Sequence, residues 1–363
     1  MNTEYGLIVS SELLKEKSSD GSYVFTGLTR KNFDEIKSKS GAETALAELS
    51  NKINHNLSLT ENIIEFLPKL NISHYRVNNS IFSLLCDFNS SNPILLQDLP
   101  DALKIETRVR ALGFLARQHG ISLSVYPESK VSLISEEDKL DNLIKELDFH
   151  SWFFETAGFP ANFSNPIVIE PNEDPKSKNH EGAIDFIKKF YSNFQKLKEE
   201  TRSRIVIKNT ESGFWNAVNL FKYFHVYLQE KFNNGLALSF DNYADSINSG
   251  SFDVSGKEIV ENYIHIGAFH ETWKGAVPIF LWSERDKSNS KITAEYLSDA
   301  IPDFNYNIKW ECDVRKRDKA IIKYTMPEEE DKVTEEVIMT ITKNKYKKSQ
   351  DFSRAFNALY DGN

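Results

Sequence analysis

The chain has 363 residues, which is enough for one large domain or for two or three smaller ones. Apolar residues make up 40% and charged residues 27% of it, a composition typical of a globular protein with a substantial core. The formal net charge of −9 argues against a protein that coats nucleic acid over its whole surface, but leaves room for a local basic groove.

Cysteine content and the N-terminal sequence favour a reducing compartment. The 2 cysteines, Cys86 and Cys312, lie far apart in the sequence and argue against a disulfide framework or a thiolate zinc site. The first residues do not combine a basic region with an apolar stretch, and no apolar run is long enough to span a bilayer. We therefore expect a cytoplasmic protein without a membrane partner.

Short runs of β-branched, aromatic and aliphatic residues predict eight strands. They lie near residues 5–9, 74–77, 121–125, 167–169, 205–207, 236–240, 277–281 and 306–310. Most are continuously apolar, which favours strands buried on both faces of a parallel sheet. The segments between them carry apolar residues at helical spacing, as in EGAIDFIKKFYSNFQKLKEE (181–200). This alternation predicts an α/β fold of the (β/α)8 TIM-barrel type, with a doubly wound open sheet as the alternative.

Two regions exceed the minimal barrel repeat. Residues 10–41 form a long first connection, and residues 312–363 follow the last predicted strand. We therefore predict a barrel domain over 1–311 and a C-terminal extension over 312–363 that packs on or near the barrel. The mixed charge runs of this extension are typical of a solvated surface, and a nucleic-acid-binding tail is the minority interpretation.

Polar residues, most of them acidic, follow nearly every predicted strand. In a TIM barrel, the C-terminal strand ends surround the active site. The carboxylates at these positions are Asp87, Glu170, Asp241, Asp245 and Glu311. Because so many carboxylates cannot stay ionised together without cations, we predict a divalent metal beside the cation of Lys208. Oxygen ligands favour Mg²⁺ or Mn²⁺ over zinc.

The same strand ends and the segment after the last strand supply candidate substrate-binding residues. These are Asn78, Asn79, Asn209, Arg285, Arg315 and Lys316. The eight histidines lie mostly on predicted helices or loops, so we interpret each as structural. A two-carboxylate glycosidase, with Glu170 and Glu311 as its acid pair, stays open at this point.

The order of these segments resembles the UV damage endonucleases, a family of metal-dependent (β/α)8 barrels related in fold to endonuclease IV. The similarity covers roughly residues 5–325. It is carried by NKINHNLSLTENIIEFLPKLNISHYRVNNSIFSLL (51–85), HGISLSVYPESKVSL (119–133) and IKWECDVRKRDKAI (308–321). The resemblance implies a DNA-repair nuclease, a hydrolase that cuts the phosphodiester 5′ to a lesion.

Carried over position by position, the resemblance implies an altered active site. The family's acidic ligands correspond to Asp241 and Glu311, and its strand-5 glutamate corresponds to Lys208. In this chain, the positions of the family's metal-ligating histidines are occupied by Asp87, Tyr126, Glu170, Ala244, Asp245 and Leu281. The residue pair that probes the lesion corresponds to Ser129 and Lys130. Every metal-ligating histidine of the family is therefore replaced.

Two functional interpretations follow, and a third stays open. In the first, Asp87, Glu170, Asp241, Asp245 and Glu311 hold Mg²⁺ or Mn²⁺, and the candidate catalytic residues are Lys208, Tyr126 and Glu311. In the second, metal binding is lost and the barrel binds DNA or a protein partner as an assembly factor. The apolar Ile279 and Leu281 favour this one, because they close one side of the site. The third is a metabolite- or sugar-handling barrel.

Overall fold

The computed structural model describes residues 4–11, 13–14, 23–127, 132–249, 256–283, 306–313 and 321. Within these residues, the strands lie close to the predicted runs. They are β1 (Glu4–Ile8), β2 (Ile72–Arg76), β3 (Ser122–Ser124), β4 (Ile167–Ile169), β5 (Ile205–Lys208), β6 (Ala237–Ser239), β7 (Ile279–Ser283) and β8 (Lys309–Asp313).

Helices occupy the connections between these strands. They are α1 (Arg30–Ser40), α2 (Ala42–Phe66), α3 (Ala102–Gln118), α4 (Glu137–Thr156), α5 (His180–Phe194), α6 (Glu199–Arg202), α7 (Ala217–Leu220), α8 (Leu228–Phe232), α9 (Asn242–Ser249) and α10 (Gly256–Glu271). A π-helical segment, Phe221–Tyr227, joins α7 to α8, and short 3₁₀ turns cover Leu67–Leu70, Asn79–Phe82 and Leu96–Asp98. No helix in the described ranges combines the length and apolarity that crossing a bilayer requires.

The strands close into a parallel barrel. Five of them pair in the order β3-β2-β1-β8-β7, and three pair in the order β4-β5-β6. Single bridges join the two groups, between Val125 and Ile167 at one seam and between Asp241 and Leu281 at the other. This closed order is that of a TIM barrel, so the predicted fold class is confirmed.

The core forms because the strands are buried on both faces and each helix presents an apolar stripe to them. In α5 the residues turned inward are Ala183, Phe186, Ile187, Phe190 and Phe194. Their spacing of three and four residues places them on one side of the helix. All three residues of β6 and all four of β5 are buried, including the polar Ser239 and Lys208, as expected for strands covered on both faces.

One detail differs from the sequence-based expectation. Strand β8 begins at Lys309 and ends at Asp313, so Glu311 lies in the middle of the strand instead of after it. Its charge is tolerated inside the barrel because Arg76 of β2 pairs with it there.

Candidate functional site at the barrel mouth

Glu311 is the centre of a polar group inside the barrel. Side chains two residues apart on a strand share one face, so His74 and Arg76 of β2 point to the same side. Glu311 reaches them across β1, where Gly6 is the residue in register with both His74 and Glu311. A Cβ at Gly6 would lie 2.9 Å from Cδ2 of His74, so glycine provides the space for the imidazole ring.

Both carboxylate oxygens of Glu311 are engaged. His74 Nε2 lies 3.0 Å from Oε1, and Ser124 Oγ donates to the same oxygen at 2.5 Å. Arg76 donates to Oε2 through Nε at 2.9 Å and also through Nη2. The carboxylate is fully buried, and the Arg76 side chain is only 14% exposed. Glu311 therefore forms a buried, fully satisfied ion pair.

The charges of this group follow from its burial and its partners. Burial alone would raise the pKa of Glu311, but Arg76 and His74 outweigh it, so the pKa lies well below its ordinary value. Burial lowers the pKa of His74, with Glu311 opposing only in part, so the ring is neutral at pH 7. Burial lowers the pKa of Arg76, but the charge of Glu311 raises it, so the pKa lies above its ordinary value. One positive and one negative charge thus balance.

Lys208 forms a second ion-paired group at the ends of the neighbouring strands. Its Nζ donates to Oδ2 of Asp241 at 2.7 Å and lies 2.9 Å from Oε1 of Glu170. The Lys208 side chain is 6% exposed, that of Asp241 5% and that of Glu170 40%. Burial lowers the pKa of Lys208, but the two carboxylates reverse the effect and raise it. The lysine is therefore a fixed cation between them.

Asn209 fixes the geometry of this group. Its Nδ2 donates to the backbone oxygen of Asp241 at 3.0 Å, and its Oδ1 accepts from the backbone nitrogen of Asp241 at 2.8 Å. Oδ1 of Asp241 in turn accepts from the backbone nitrogen of Ala244 at 3.0 Å, in the first turn of α9. These bonds hold the ends of β5 and β6 in one register and aim the Asp241 carboxylate at Lys208.

Tyr126 lies between the two groups. Its ring stacks under the guanidinium of Arg76, with Cζ of Arg76 3.6 Å from the ring centroid. Burial, and then the charge of Glu311, raise the pKa of the Tyr126 hydroxyl, and the charge of Asp241 acts in the same direction. The hydroxyl oxygen is buried and has no hydrogen-bond partner among the described residues. Tyr126 is therefore a neutral phenol at pH 7.

The other two predicted carboxylates lie apart from these groups, each with its own cationic or hydrogen-bonding partner. Asp87 Oδ2 accepts from Arg30 at 2.9 Å. Asp245 Oδ2 lies 3.2 Å from Nδ1 of His265, and its Oδ1 accepts from the backbone nitrogen of Ala217 at 3.3 Å. The five predicted metal ligands are thus divided among four separate pairings.

The remaining predicted residues are placed as follows. Asn78 caps the turn after β2 through a 2.8 Å bond from the Ser80 backbone nitrogen, and Asn79 Nδ2 donates to the backbone oxygen of Tyr126. The structure therefore brings Glu170, Lys208, Asn209 and Asp241 together, with Tyr126 beside them. The others, Ser129, Lys130, Arg285, Arg315 and Lys316, lie outside the described residues.

The residues present at the mouth do not fit a divalent-metal centre. A divalent ion requires several oxygen or nitrogen donors directed at one point. Here the ammonium of Lys208 occupies the point where Glu170 and Asp241 converge, and Arg76 and His74 engage Glu311. Within the described part of the chain, no group of three or more His, Cys, Asp or Glu residues is placed to hold a metal ion.

Sequence reasoning missed His74, Arg76 and Ser124 as members of the mouth. Glu311 is 237 residues from His74 and 235 from Arg76, so no local pattern connects them. A signal did exist in the alternation of polar residues. His74 and Arg76 on β2, and Ser122 and Ser124 on β3, are spaced by two, which places each pair on one strand face.

Comparison with known proteins identifies the family. The profile of the UV-endonuclease UvdE family matches residues 5–346. The chain belongs to that family. The resemblance suggested by the order of its segments is therefore confirmed, and this UvdE-family protein carries two ion-paired groups at the mouth of its barrel.

Its relatives are distant. The putative UV-damage endonuclease of Acanthamoeba polyphaga mimivirus is 25% identical over 153 residues, which cover 42% of this chain and 43% of the relative. The UV DNA damage endonuclease of Clostridium perfringens is 25% identical over 165 residues, which cover 44% of this chain and 35% of the relative. Each alignment spans less than half of the relative's length.

Among solved structures, this UvdE-family protein is similar to the crystal structure of SacUVDE. The TM-score is 0.65 at 17% sequence identity, and the superposition covers 89% of this chain and 96% of the other. At this level of identity, the likeness establishes the shared fold.

Proposed function

We propose that this chain is a UV-damage endonuclease-like protein that engages damaged DNA at the C-terminal mouth of its barrel. The observation that carries the proposal is the family match, which extends over residues 5–346 and so includes every strand of the barrel. The mouth is where TIM barrels place their functional groups. The relatives from mimivirus and Clostridium perfringens bear endonuclease names, which supports DNA as the partner.

We propose that residues following the described ends of the strands also contact DNA. Arg285, Arg315 and Lys316 follow the described ends of β7 and β8, so their side chains are proposed to bind backbone phosphates. Ser129 and Lys130 follow β3 and Tyr126, and are proposed to contact the lesion. The cations of Lys208 and Arg76 are proposed to offset all but one of the three carboxylate charges at the mouth, which limits its repulsion of DNA.

A second candidate function is lesion binding without incision, and the ion pairs favour it. Phosphodiester hydrolysis at a metal centre requires ligands with open coordination positions. At this mouth, Asp241 and Glu311 are instead bonded to Lys208, Arg76 and His74. Charged partners so close exclude a second cation by repulsion. We propose that this arrangement allows the chain to bind a lesion without cutting the DNA.

One experiment tests both functions on the intact chain. Binding is measured by fluorescence anisotropy with a labelled duplex, either UV-irradiated or undamaged, at fixed salt because phosphate contacts weaken as salt rises. Incision is measured on irradiated supercoiled plasmid with Mg²⁺, Mn²⁺ or EDTA. The proposal expects tighter binding to the irradiated duplex. Equal, weak binding to both duplexes, together with no incision, would contradict it.

Variants separate endonuclease-like incision from binding alone. If the chain cuts, Asp241→Asn and Glu311→Gln are expected to abolish incision while the irradiated duplex still binds. If the chain only binds, neither metal produces incision in the unmodified protein. The double change Arg315→Ala and Lys316→Ala is expected to weaken binding to both duplexes and to lower the salt dependence by about two phosphate contacts. Lys309→Gln is the control, because Lys309 begins β8 at the opposite end of the barrel.

A further inference from the structure

A cavity of about 540 Å³ lies beside the mouth and is lined by none of its ion-paired residues. Three segments form its walls: residues 27–30 ahead of and at the start of α1, residues 79–89 after β2, and the middle of α4. Asn79 lines the cavity and donates to the backbone of Tyr126, so the cavity adjoins the mouth. Its volume is in the range of sites that hold small organic ligands.

Burial shows which end of the cavity is the floor. Glu146 and His150, one turn apart on α4, are each 5% exposed. The side chains of Arg30 and Asp87 are 26% and 35% exposed and pair with each other at 2.9 Å. The α4 residues therefore form the floor, and the Arg30–Asp87 pair lies nearer the opening.

His150 is the titratable residue of the cavity floor whose ring nitrogens are open to a ligand. It makes no hydrogen bond to any described residue, although its ring lines the cavity. Burial lowers its pKa to about 4, so at pH 7 the imidazole is neutral, with one nitrogen as donor and the other as acceptor. Imidazole nitrogens in such a place are normally hydrogen-bonded to protein, ligand or water. The cavity is the space from which that partner would come.

The charges around the cavity disfavour an anionic ligand. Arg30 is the cation of the described lining, and its guanidinium already donates through Nε and Nη2 to Asp87. Glu146 adds a second carboxyl group at the floor, and His150 carries no charge at pH 7. An isolated phosphate or carboxylate would find no uncompensated positive charge here.

The shape and chemistry of the walls suit an aromatic ring. Phe82 lines the cavity with the 4% of its surface that is exposed, and edge contacts with Phe149 and Phe153 hold it at centroid distances of 5.4 and 5.6 Å. Leu28 adds a buried apolar surface, while Asn79 and Ser83 add polar groups. A rigid aromatic wall facing a donor–acceptor group is how proteins stack and read the edge of a base.

We propose that this cavity binds an uncharged nucleobase, with the base packed against the exposed part of Phe82 and hydrogen-bonded to His150. The base would come either from a free nucleoside or from a nucleotide turned out of a DNA strand. The second source rests on the proposed DNA function, whereas the first does not. The site is separate from the mouth, so loss of incision would leave nucleoside binding unchanged.

The native cysteines provide a test without substitution. Cys86 lines the cavity and is partly exposed, whereas Cys312 is fully buried in β8. Alkylation of Cys86 by iodoacetamide is followed by mass spectrometry with and without each of the four deoxynucleosides. At least one deoxynucleoside is expected to slow alkylation of Cys86 at least five-fold, and isothermal titration calorimetry on the same protein gives the affinity.

Further ligands define the class and the source of the base. Ribose and inorganic phosphate are expected to give no protection, and protection by either one without protection by a nucleoside would overturn the proposal. A single-stranded oligonucleotide that protects Cys86 identifies a base within DNA as the ligand. Protection by nucleosides alone identifies the free nucleoside. Absence of protection by nucleosides and DNA alike, at millimolar concentration, would refute the site.

Variants assign the contact to His150. His150→Phe keeps a ring of similar size but removes both ring nitrogens, and is expected to weaken nucleoside binding at least ten-fold. His150→Gln keeps a donor and an acceptor, and is expected to retain part of the affinity. His119→Gln, at the C-terminal end of α3 and outside the cavity lining, is the matched control. Unchanged affinity in His150→Phe would show that the imidazole does not bind the base.

Discussion

Removal of the cation from the buried carboxylate of Glu311 is the most direct test of the barrel interior. The change is Arg76→Met, which keeps a long apolar side chain but deletes the guanidinium that donates twice to Glu311. The carboxylate then retains His74 and Ser124 as partners, and the burial that opposes its charge is unchanged. We expect a large loss of stability at pH 7.

The size of the loss follows from burial on both sides of the pair. The side chain of Glu311 is 0% exposed and that of Arg76 14% exposed. Breaking a buried pair by removing one partner costs about 3–5 kcal/mol. The matched control is Arg110→Met, whose pair with Glu106 lies at the surface with side chains 59% and 32% exposed. That change is expected to cost about 0–1 kcal/mol.

Urea denaturation followed by circular dichroism measures both free energies of unfolding. The double change Arg76→Met with Glu311→Gln is expected to recover part of the loss, because glutamine does not leave a charge buried. Without Arg76, burial dominates and the pKa of Glu311 rises, so the penalty is expected to shrink as pH falls. An Arg76→Met protein within about 1 kcal/mol of the unmodified chain at pH 7, with no pH dependence, would refute the reasoning.

Three further outcomes are expected from the same physics. Lys208→Met leaves two carboxylates without their shared cation and should cost about 3–5 kcal/mol of unfolding free energy. Lys178→Met is the control, because the Lys178 side chain is 64% exposed in its pair with Asp174, and should cost about 0–1 kcal/mol; equal losses would contradict the role of Lys208. Gly113→Ala should destabilise the folded chain by about 1–3 kcal/mol, because the added Cβ would lie 1.9 Å from the Ala157 backbone oxygen. This cost should exceed the gain from the higher helix propensity of alanine, so a rise in melting temperature would contradict the reasoning. The pKa of Glu311 is lower in the folded chain than its ordinary value of 4.5. Glu311 therefore stabilises the folded chain above pH 4.5, and this stabilisation is lost as the pH falls through the folded-state pKa. The free energy of unfolding of Glu311→Gln should consequently depend less on pH in acid than that of the unmodified chain.

The fold was largely predictable because each strand is a local signal. Segments such as RIVIK and LALSF are dominated by apolar residues, and the structure places β5 and β6 within them. The eighth strand was shifted by three residues because Glu311 read as a strand end, although it lies inside the barrel. The sequence around a charged residue does not reveal that the residue pairs across the barrel.

The site was predictable only where its members lie at strand ends. Lys208, Asn209 and Asp241 were found in this way, and the structure brings them together. The prediction of five carboxylates around a metal included the cation of Lys208, but not Arg30 or Arg76 as partners of those carboxylates. In the structure, Arg30 and Arg76 reach carboxylates 57 and 235 residues away, which only the folded chain can reveal.

The two seams of the barrel determine how its interior can move. Each seam is closed by an isolated bridge, whereas within the two arcs the strands share continuous ladders. Glu311 and its partners lie entirely on the five-stranded arc, and Lys208 with its carboxylates lies on the three-stranded arc. Parting of the arcs at a seam would therefore leave both ion-paired groups intact. We therefore expect the barrel to open first at a seam, and hydrogen–deuterium exchange at the amide of Leu281, which bonds across one seam, would report such opening.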